Sequence, residues 1–237
     1  MGGFERACPI LLAHTRVVRE LDLAIASVGR DCRGVLLDAG CGGRKFERCF
    51  PGVDRYIGMD LPDTREEMAY SAGGVDVYGD VYRIPVPDGR LDCVFSESVL
   101  EHLEDPQKCL REFSRVLKPG GRLIIAVPFL FQVHAPVHDF SRWTANGLKH
   151  LVSEAGFEMT RTIQVGGYAT ALWSLAEGYL LEYAWEADGR WLPIKLLLRP
   201  FELAVCLLGN ALAAGLDLVW PSDRGCSVYV VSAVKPG

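Results

Sequence analysis

Nine residues of this chain, Val35-Leu-Leu-Asp-Ala-Gly-Cys-Gly-Gly43, run from a continuous apolar stretch into a glycine-rich turn. A strand covered by helices on both faces reads as an unbroken apolar run, and Val35-Leu36-Leu37 fits that pattern. Gly40 and Gly42 lack a Cβ, so the turn is free to adopt conformations closed to other residues and to let a ligand approach the main chain. A strand that opens through such a turn into a helix is where nucleotide-like ligands sit in an open α/β sheet.

The remainder of the chain supplies the alternation such a sheet requires. Leu11, Leu12, Val18, Leu21, Ile25 and Val28 recur at helical spacing and predict a helix over 9–29, within a helical segment 1–30. Strands are expected at Val35–Asp38, Arg55–Asp60, Val75–Tyr78, Leu91–Ser96, Arg122–Pro128 and Phe157–Val165, with a final β-branched strand at Cys226–Val234. The intervals carry a short helix over Lys45–Phe50 and a helix over Pro106–Leu117, stopped by Lys118-Pro-Gly-Gly121. A further helix is capped by Thr144 and ended at Gly156. Strands alternating with helices predict an α/β, doubly wound, mostly parallel sheet with right-handed crossovers, and 1–237 is expected to form a single domain.

Residues 168–220 break the alternation. They read as apolar helical segments, Leu172–Tyr183 and Ile194–Trp220, the second interrupted near Pro200, and form a helical insertion before the last strand. The uncharged run Leu203–Leu216 has 14 residues. A membrane-spanning helix needs about 20, so a lid, a buried helix, a homodimer interface or a peripheral membrane contact is expected rather than a span.

Composition narrows the partners. The formal net charge is −5 and the Lys and Arg residues are scattered, which speaks against a nucleic-acid partner. The eight cysteines include no C-x-x-C pair, so they are expected to be reduced thiols of a cytoplasmic protein and no metal site is expected from them. The N-terminus lacks the basic region and apolar run of a secretory signal.

Several acids fall where strands end. Asp60 closes the second expected strand, 22 positions after Asp38, with Leu61 next to it. A carboxylate there is placed to accept from both hydroxyls of a ribose, or it is simply a strand-end residue opening a turn. Asp80, followed by Val81, could accept from an adenine amino group or serve as a turn residue. Glu97 and Ser98 end the fourth strand, and Asp38 precedes the glycine turn, where it could meet a cationic amine or hold loop N–H groups. Ligands bind outside the carboxyl ends of parallel strands, so all of these positions face one crevice.

Val35–Gly43 resembles the first motif of class I S-adenosylmethionine-dependent methyltransferases. The run Leu91-Asp-Cys-Val-Phe-Ser-Glu-Ser-Val-Leu-Glu-His-Leu-Glu-Asp-Pro, followed by Phe113-Ser-Arg-Val-Leu-Lys-Pro-Gly-Gly-Arg-Leu-Ile-Ile, is similar to the small-molecule branch that includes the quinone-biosynthesis methyltransferases. The resemblance covers about residues 33–165 and the last strand. It implies a Rossmann-like seven-stranded sheet with an antiparallel last strand, and S-adenosylmethionine as cofactor. It also implies that Gly40 and Gly42 approach the methionine moiety, that Asp60 holds the ribose, that Asp80 and Val81 meet the adenine, and that Glu97 and Ser98 lie beside the cofactor. Arg44 and Lys45 depart from the family, which favours small or neutral residues there.

The implied activity is methyl transfer to a small acceptor, apolar or lipid-like to suit the 168–220 insertion. The other reading is a catalytically silent member that uses its apolar helices to bind a partner or a membrane surface. Glu97-Ser-Val-Leu100 stands where amino-group methylases of bases and glutamines carry Asn-Pro-Pro-aromatic, which speaks against those acceptors. The candidate base is His138 beside Asp139, whose carboxylate could fix the imidazole tautomer. Both residues could instead tie down their loop. His134 and His138 are separated by Pro136, which breaks any helix that would pair them on a metal. His102 is expected to pack near the crevice.

Overall fold

The computed structural model describes residues 13–62, 74–133, 138–186 and 192–237. Seven strands form one sheet: β1 Gly34–Ala39, β2 Val53–Asp60, β3 Val77–Tyr78, β4 Leu91–Glu97, β5 Leu117–Pro128, β6 Glu158–Val165 and β7 Val228–Val234. Their order is β3-β2-β1-β4-β5-β7-β6. β1 pairs in parallel with β2 and β4, placing Asp38 beside Gly58 on one side and Phe95 on the other. β4 and β5 are also parallel, with Glu97 opposite Ala126. β7 runs against its neighbour: the Gly120 and Phe129 amides donate to the Lys235 and Ser227 carbonyls, so the partner numbers fall as the chain rises. The antiparallel last strand is thus present.

Burial explains which segments became strands. Leu36, Leu37, Val94, Phe95 and the run Leu123–Val127 are all buried, as expected of central strands covered on both faces. Phe95 is the hub of an aromatic cluster, with ring centroids 5.6 Å from Phe46 and 5.0 Å from Phe50. Offset and edge-on aromatic contacts of this kind each add about 0.5–1.5 kcal/mol beyond the area they bury.

The helices follow their local chemistry. α1, Ala13–Gly29, buries Val17, Leu21, Ala24, Ile25 and Val28, one stripe at helical spacing. Residues 9–12 of the expected helix lie outside the described residues. α2, Pro106–Val116, has Asp105 as its N-cap, accepting from the Lys108 amide at 2.9 Å, and proline in its first turn. α3, Ala145–Glu154, is capped by Thr144, which accepts from the Gly147 amide at 3.1 Å, and ends in left-handed Gly156. α4 spans Tyr168–Glu186 and α5 spans Leu192–Val219.

Four expectations change. The strand expected at Val75–Tyr78 shortens to Val77–Tyr78; ahead of it the Asp76 amide still donates to the Gly58 carbonyl at 2.8 Å, but its side chain, rather than a backbone carbonyl, accepts from the Gly58 amide at 2.8 Å. The helix over Lys45–Phe50 is a single 3-10 turn, Glu47–Cys49. Leu117 belongs to β5 rather than to the preceding helix, and Lys118–Gly121 is paired strand rather than loop. Proline at 119 disfavours helical conformation at Lys118, so the chain extends early. Finally, α5 continues through Pro200 without a break, at the loss of the one N–H that proline lacks.

The described chain divides into two compact units. The larger comprises Asp22–Pro128, Val133–Ile163 and Tyr229–Gly237, and it contains every candidate site residue. The smaller comprises the described part of Met1–Leu21, Phe129–Gln132 and Gln164–Val228, with α4 and α5. In that unit Asp217 caps α4, accepting from the amides of Ala169 at 2.8 Å and Thr170 at 3.0 Å. A negative charge is favourable at a helix N-terminus, where unpaired amides gather.

Candidate functional site

The turn after β1 is clipped to β2. The Gly40 and Cys41 amides both donate to the Met59 carbonyl, at 2.8 and 3.1 Å. Gly40 has φ +85°, and a Cβ there would lie 2.2 Å from Val99 Cγ2. Both facts demand glycine. Gly42 has φ +48° and donates its amide to Asp60 Oδ2 at 2.8 Å. The other oxygen of Asp60 accepts from the Leu61 amide at 2.8 Å. Asp60 therefore ties the glycine turn to the end of β2. A Cβ at Gly43 would meet no atom within 4 Å, so packing does not require glycine there.

Arg44 does not intrude on the turn. Its own φ is +56°, and its guanidinium is held by Asp76, at 2.9 and 3.1 Å, and by Glu47 at 2.9 Å. It also lies over the Tyr56 ring, 5.2 Å from the centroid. The Lys45 ammonium rests 4.6 Å from the Phe46 ring centroid. At Arg44 the departure from the family is met by an acid, Asp76, that comes from more than thirty residues away.

Asp38 is buried at the end of β1, and the Tyr56 hydroxyl donates to its Oδ2 at 2.5 Å. Burial raises its pKa from 3.8 to about 7; the tyrosine hydroxyl opposes the rise, and the charges of Glu97 and Asp60 add to it. Glu97 is likewise raised by burial, against the opposing hydrogen bond from Ser98 Oγ at 2.7 Å. Ser98 has φ +53°, and its amide donates to the Ala126 carbonyl at 3.0 Å. After β3, Asp80 Oδ1 accepts from the Tyr82 amide at 2.8 Å, and Val81 is buried beside it in sequence. Asp38, Gly40, Gly42, Asp60, Leu61, Glu97 and Ser98 thus gather at the carboxyl ends of β1, β2 and β4, with Asp80 and Val81 just past β3.

The residues after β5 are arranged differently. Asp139 takes a two-pronged hydrogen bond from the Arg142 guanidinium, one arm at 2.8 Å. Such paired, charge-assisted bonds are the strong ones. His138 is exposed, and its carbonyl meets His102 Nδ1 at 2.8 Å. His134 lies outside the described residues. Beneath this segment sits Glu101, fully buried, its backbone carbonyl accepting from the Phe140 amide at 2.8 Å. Burial pushes the Glu101 carboxyl up to about 8; Glu97 and Asp139 add to the rise and Arg142 opposes it. Among the described residues, no group of three or more His, Cys, Asp or Glu side chains is placed to hold a metal ion.

Tyr56, Asp76, Val99, Glu101 and Arg142 are parts of this site that sequence reasoning passed over. Tyr56 was reachable: Leu36 pairs with Tyr56 and Asp38 with Gly58, and side chains two apart on a strand share a face. Asp76 and Arg142 carried no such signal.

A methyltransferase domain model matches residues 37–125. An O-methyltransferase of Aspergillus nomiae is 30 % identical over 176 residues, 65 % of this chain and 76 % of that protein. A malonyl-[acyl-carrier protein] O-methyltransferase of Yersinia pestis is 32 % identical over 128 residues, 52 % of this chain and 48 % of that protein. The chain spans about half the length of most of the curated relatives it matches. The solved structure of an S-adenosylmethionine-dependent methyltransferase from Mesorhizobium loti shares the fold, with a TM-score of 0.53 and 17 % identity over 90 % of this chain and 96 % of that one. With its 3-2-1-4-5-7-6 sheet, its glycine turn pinned by the acid that ends β2, and this kinship, the chain belongs to the class I S-adenosylmethionine-dependent methyltransferases.

Proposed function

We propose that this chain transfers the methyl group of S-adenosylmethionine to a small acceptor of apolar or lipid-like character. The observation that carries the reading is the Gly40–Gly42 turn held against β2 with four acids, Asp38, Asp60, Asp80 and Glu97, around the carboxyl ends of the strands. That set fits a ligand bearing an amine, a sulfonium and ribose hydroxyls. Gly40 leaves the main chain open to close approach, Asp60 and Asp80 offer acceptors for the ribose and the adenine, and Val81 offers an apolar wall. When bound, S-adenosylmethionine supplies an electrophilic methyl carbon on a cationic sulfur. The protein then has to align an acceptor in line with that carbon and keep water away.

Five relatives are named as O-methyltransferases, which supports an oxygen nucleophile here. A carboxylate oxygen needs no base, whereas a hydroxyl must lose a proton. His138 and Asp139 are our candidates for the acceptor side: Asp139, anchored by Arg142, orders the segment that presents His138. The seven described cysteines are all buried and scattered along the chain, which supports a reducing, cytoplasmic setting. Isothermal titration with S-adenosylmethionine tests the reading; saturable heat is expected, and its absence from the folded protein would sink it.

Asp38 gives the binding a pH signature. An acid whose folded pKa lies above its unfolded value stabilises the fold below the unfolded pKa, and that contribution is lost as pH rises through the folded pKa. For Asp38 this window runs from about 4 to about 7. A cationic ligand prefers the ionised form, so affinity is expected to rise across the same upper edge, near pH 7. Tyr56→Phe removes the hydrogen bond that favours ionisation, and calorimetry from pH 5.5 to 8.5 is expected to show the midpoint moved upward. An unmoved midpoint would separate Asp38 from the ligand.

A further inference from the structure

The helical pair in the smaller unit is turned inside out. Between Phe201 and Trp220 the exposed residues are Phe, Trp, Leu, Val, Ala and Gly only. Leu208 is 71 % exposed, Leu212 64 % and Trp220 74 %. The three polar residues of this stretch are turned away from solvent. Asp217 caps α4, Asn210 Nδ2 reaches Glu177 Oε1 at 3.4 Å, and Glu202 is half-buried. α4 repeats the pattern: Tyr168, Leu172, Ala176, Tyr179 and Leu180 are exposed, while Thr170 and Glu177 are buried.

A helix that borders water carries its polar residues outside. Ionisable residues that face a bundle interior, with an apolar exterior, are the arrangement of helices whose solvent is lipid. Pro200–Val219 is a 20-residue stretch long and apolar enough to cross a membrane, and only 11 % of it is buried. At 1.5 Å per residue it measures about 30 Å. Aromatic side chains stand at its two ends, Phe201 and Trp220, where rings favour the level of the lipid headgroups. The sequence leading into it, residues 190–199, holds three cations and no acid, a flank suited to anionic headgroups.

We propose that the outer face of α4 and α5 beds into a phospholipid bilayer surface, with the polar groups of the pair kept inside. The inference stands apart from the cofactor site, which is built from other residues. Flotation of the purified full chain with vesicles of phosphatidylcholine and phosphatidylglycerol at three to one tests it. Most of the wild-type protein is expected to float, and Leu208→Glu/Leu212→Glu is expected to lower the floating fraction at least tenfold. Both side chains are exposed, so the variant should keep its fold, checked by an unchanged circular-dichroism melt. A second readout is independent of that variant: brominated lipids are expected to quench the part of the emission that Trp220→Phe removes. Equal flotation of variant and wild type would overturn the proposal, as would no quenching. So would wild-type protein that ignores vesicles while forming a dimer that the double variant splits, which would assign the face to a second copy of the chain.

Discussion

Asp60→Ala is expected to weaken S-adenosylmethionine binding about a hundredfold and to lower the stability of the fold as well. The carboxylate accepts from the Gly42 and Leu61 amides, both at 2.8 Å, and so fixes the turn that our reading places against the cofactor. Hydrogen bonds to a charged group contribute about 1.5–3 kcal/mol each. Loss of about 3 kcal/mol of pre-organisation and ribose contact is a factor of roughly one hundred in affinity. Asp60→Asn separates the two contributions, because the amide oxygen can still serve one of the two N–H groups but brings no charge; about a tenfold loss is expected. Titration calorimetry of the three proteins decides. Equal affinities would remove Asp60 from the cofactor site and leave it the role of a strand-end clip.

Gly40→Ala is expected to be among the most damaging single-methyl changes in the chain. Two costs combine. The backbone stands at φ +85°, where a side chain costs about 1–2 kcal/mol. The new methyl would also lie 2.2 Å from Val99 Cγ2, and overpacking of that kind costs about 1–3 kcal/mol more. A total near 3 kcal/mol is a large share of the 5–15 kcal/mol typical of a folded domain, and would lower the melting temperature by about 6–12 °C for a chain of this size. Gly40→Ala/Val99→Ala is the informative partner. It removes the clash and leaves the dihedral strain, so it is expected to recover about half of the loss in a thermal melt. Full recovery would mean that the backbone of the turn relaxes freely. No recovery would place the whole cost in the dihedral.

Much of the larger unit was legible in the chain because its signals are local. Val35–Leu37 and the apolar end of β5 had to be buried strands whatever their partners. Asp105-Pro106, Thr144 and Gly156 mark helix ends through bonds made within a few residues. The stop after Val116 was misplaced by one residue, since the restraint of Pro119 on Lys118 and the pairing of Leu117 with Leu91 act together. The bend expected at Pro200 failed for a related reason: a missing N–H costs one bond, and a long helix can absorb it.

The candidate site divides along the same line. That glycines, a strand-end acid and the Glu97-Ser98 pair would meet at one edge followed from the parallel strand order, because every strand then delivers its carboxyl end to the same side. Which groups hold them there did not follow. Arg44 departs from the family in sequence, and only the structure puts Asp76 on its guanidinium; Asp139 is the expected partner of His138, and only the structure puts Arg142 on its carboxylate. Likewise the apolar run at 203–216 announced a helix, but not which of its faces would be covered. Spacing along the chain decides what each segment can form, through bonds that close within a turn of helix or a step of strand. Contacts between residues distant in sequence depend on how the segments pack, and only the tertiary structure decided which charges are neutralised, which acids are buried, and which leucines are left on the outside.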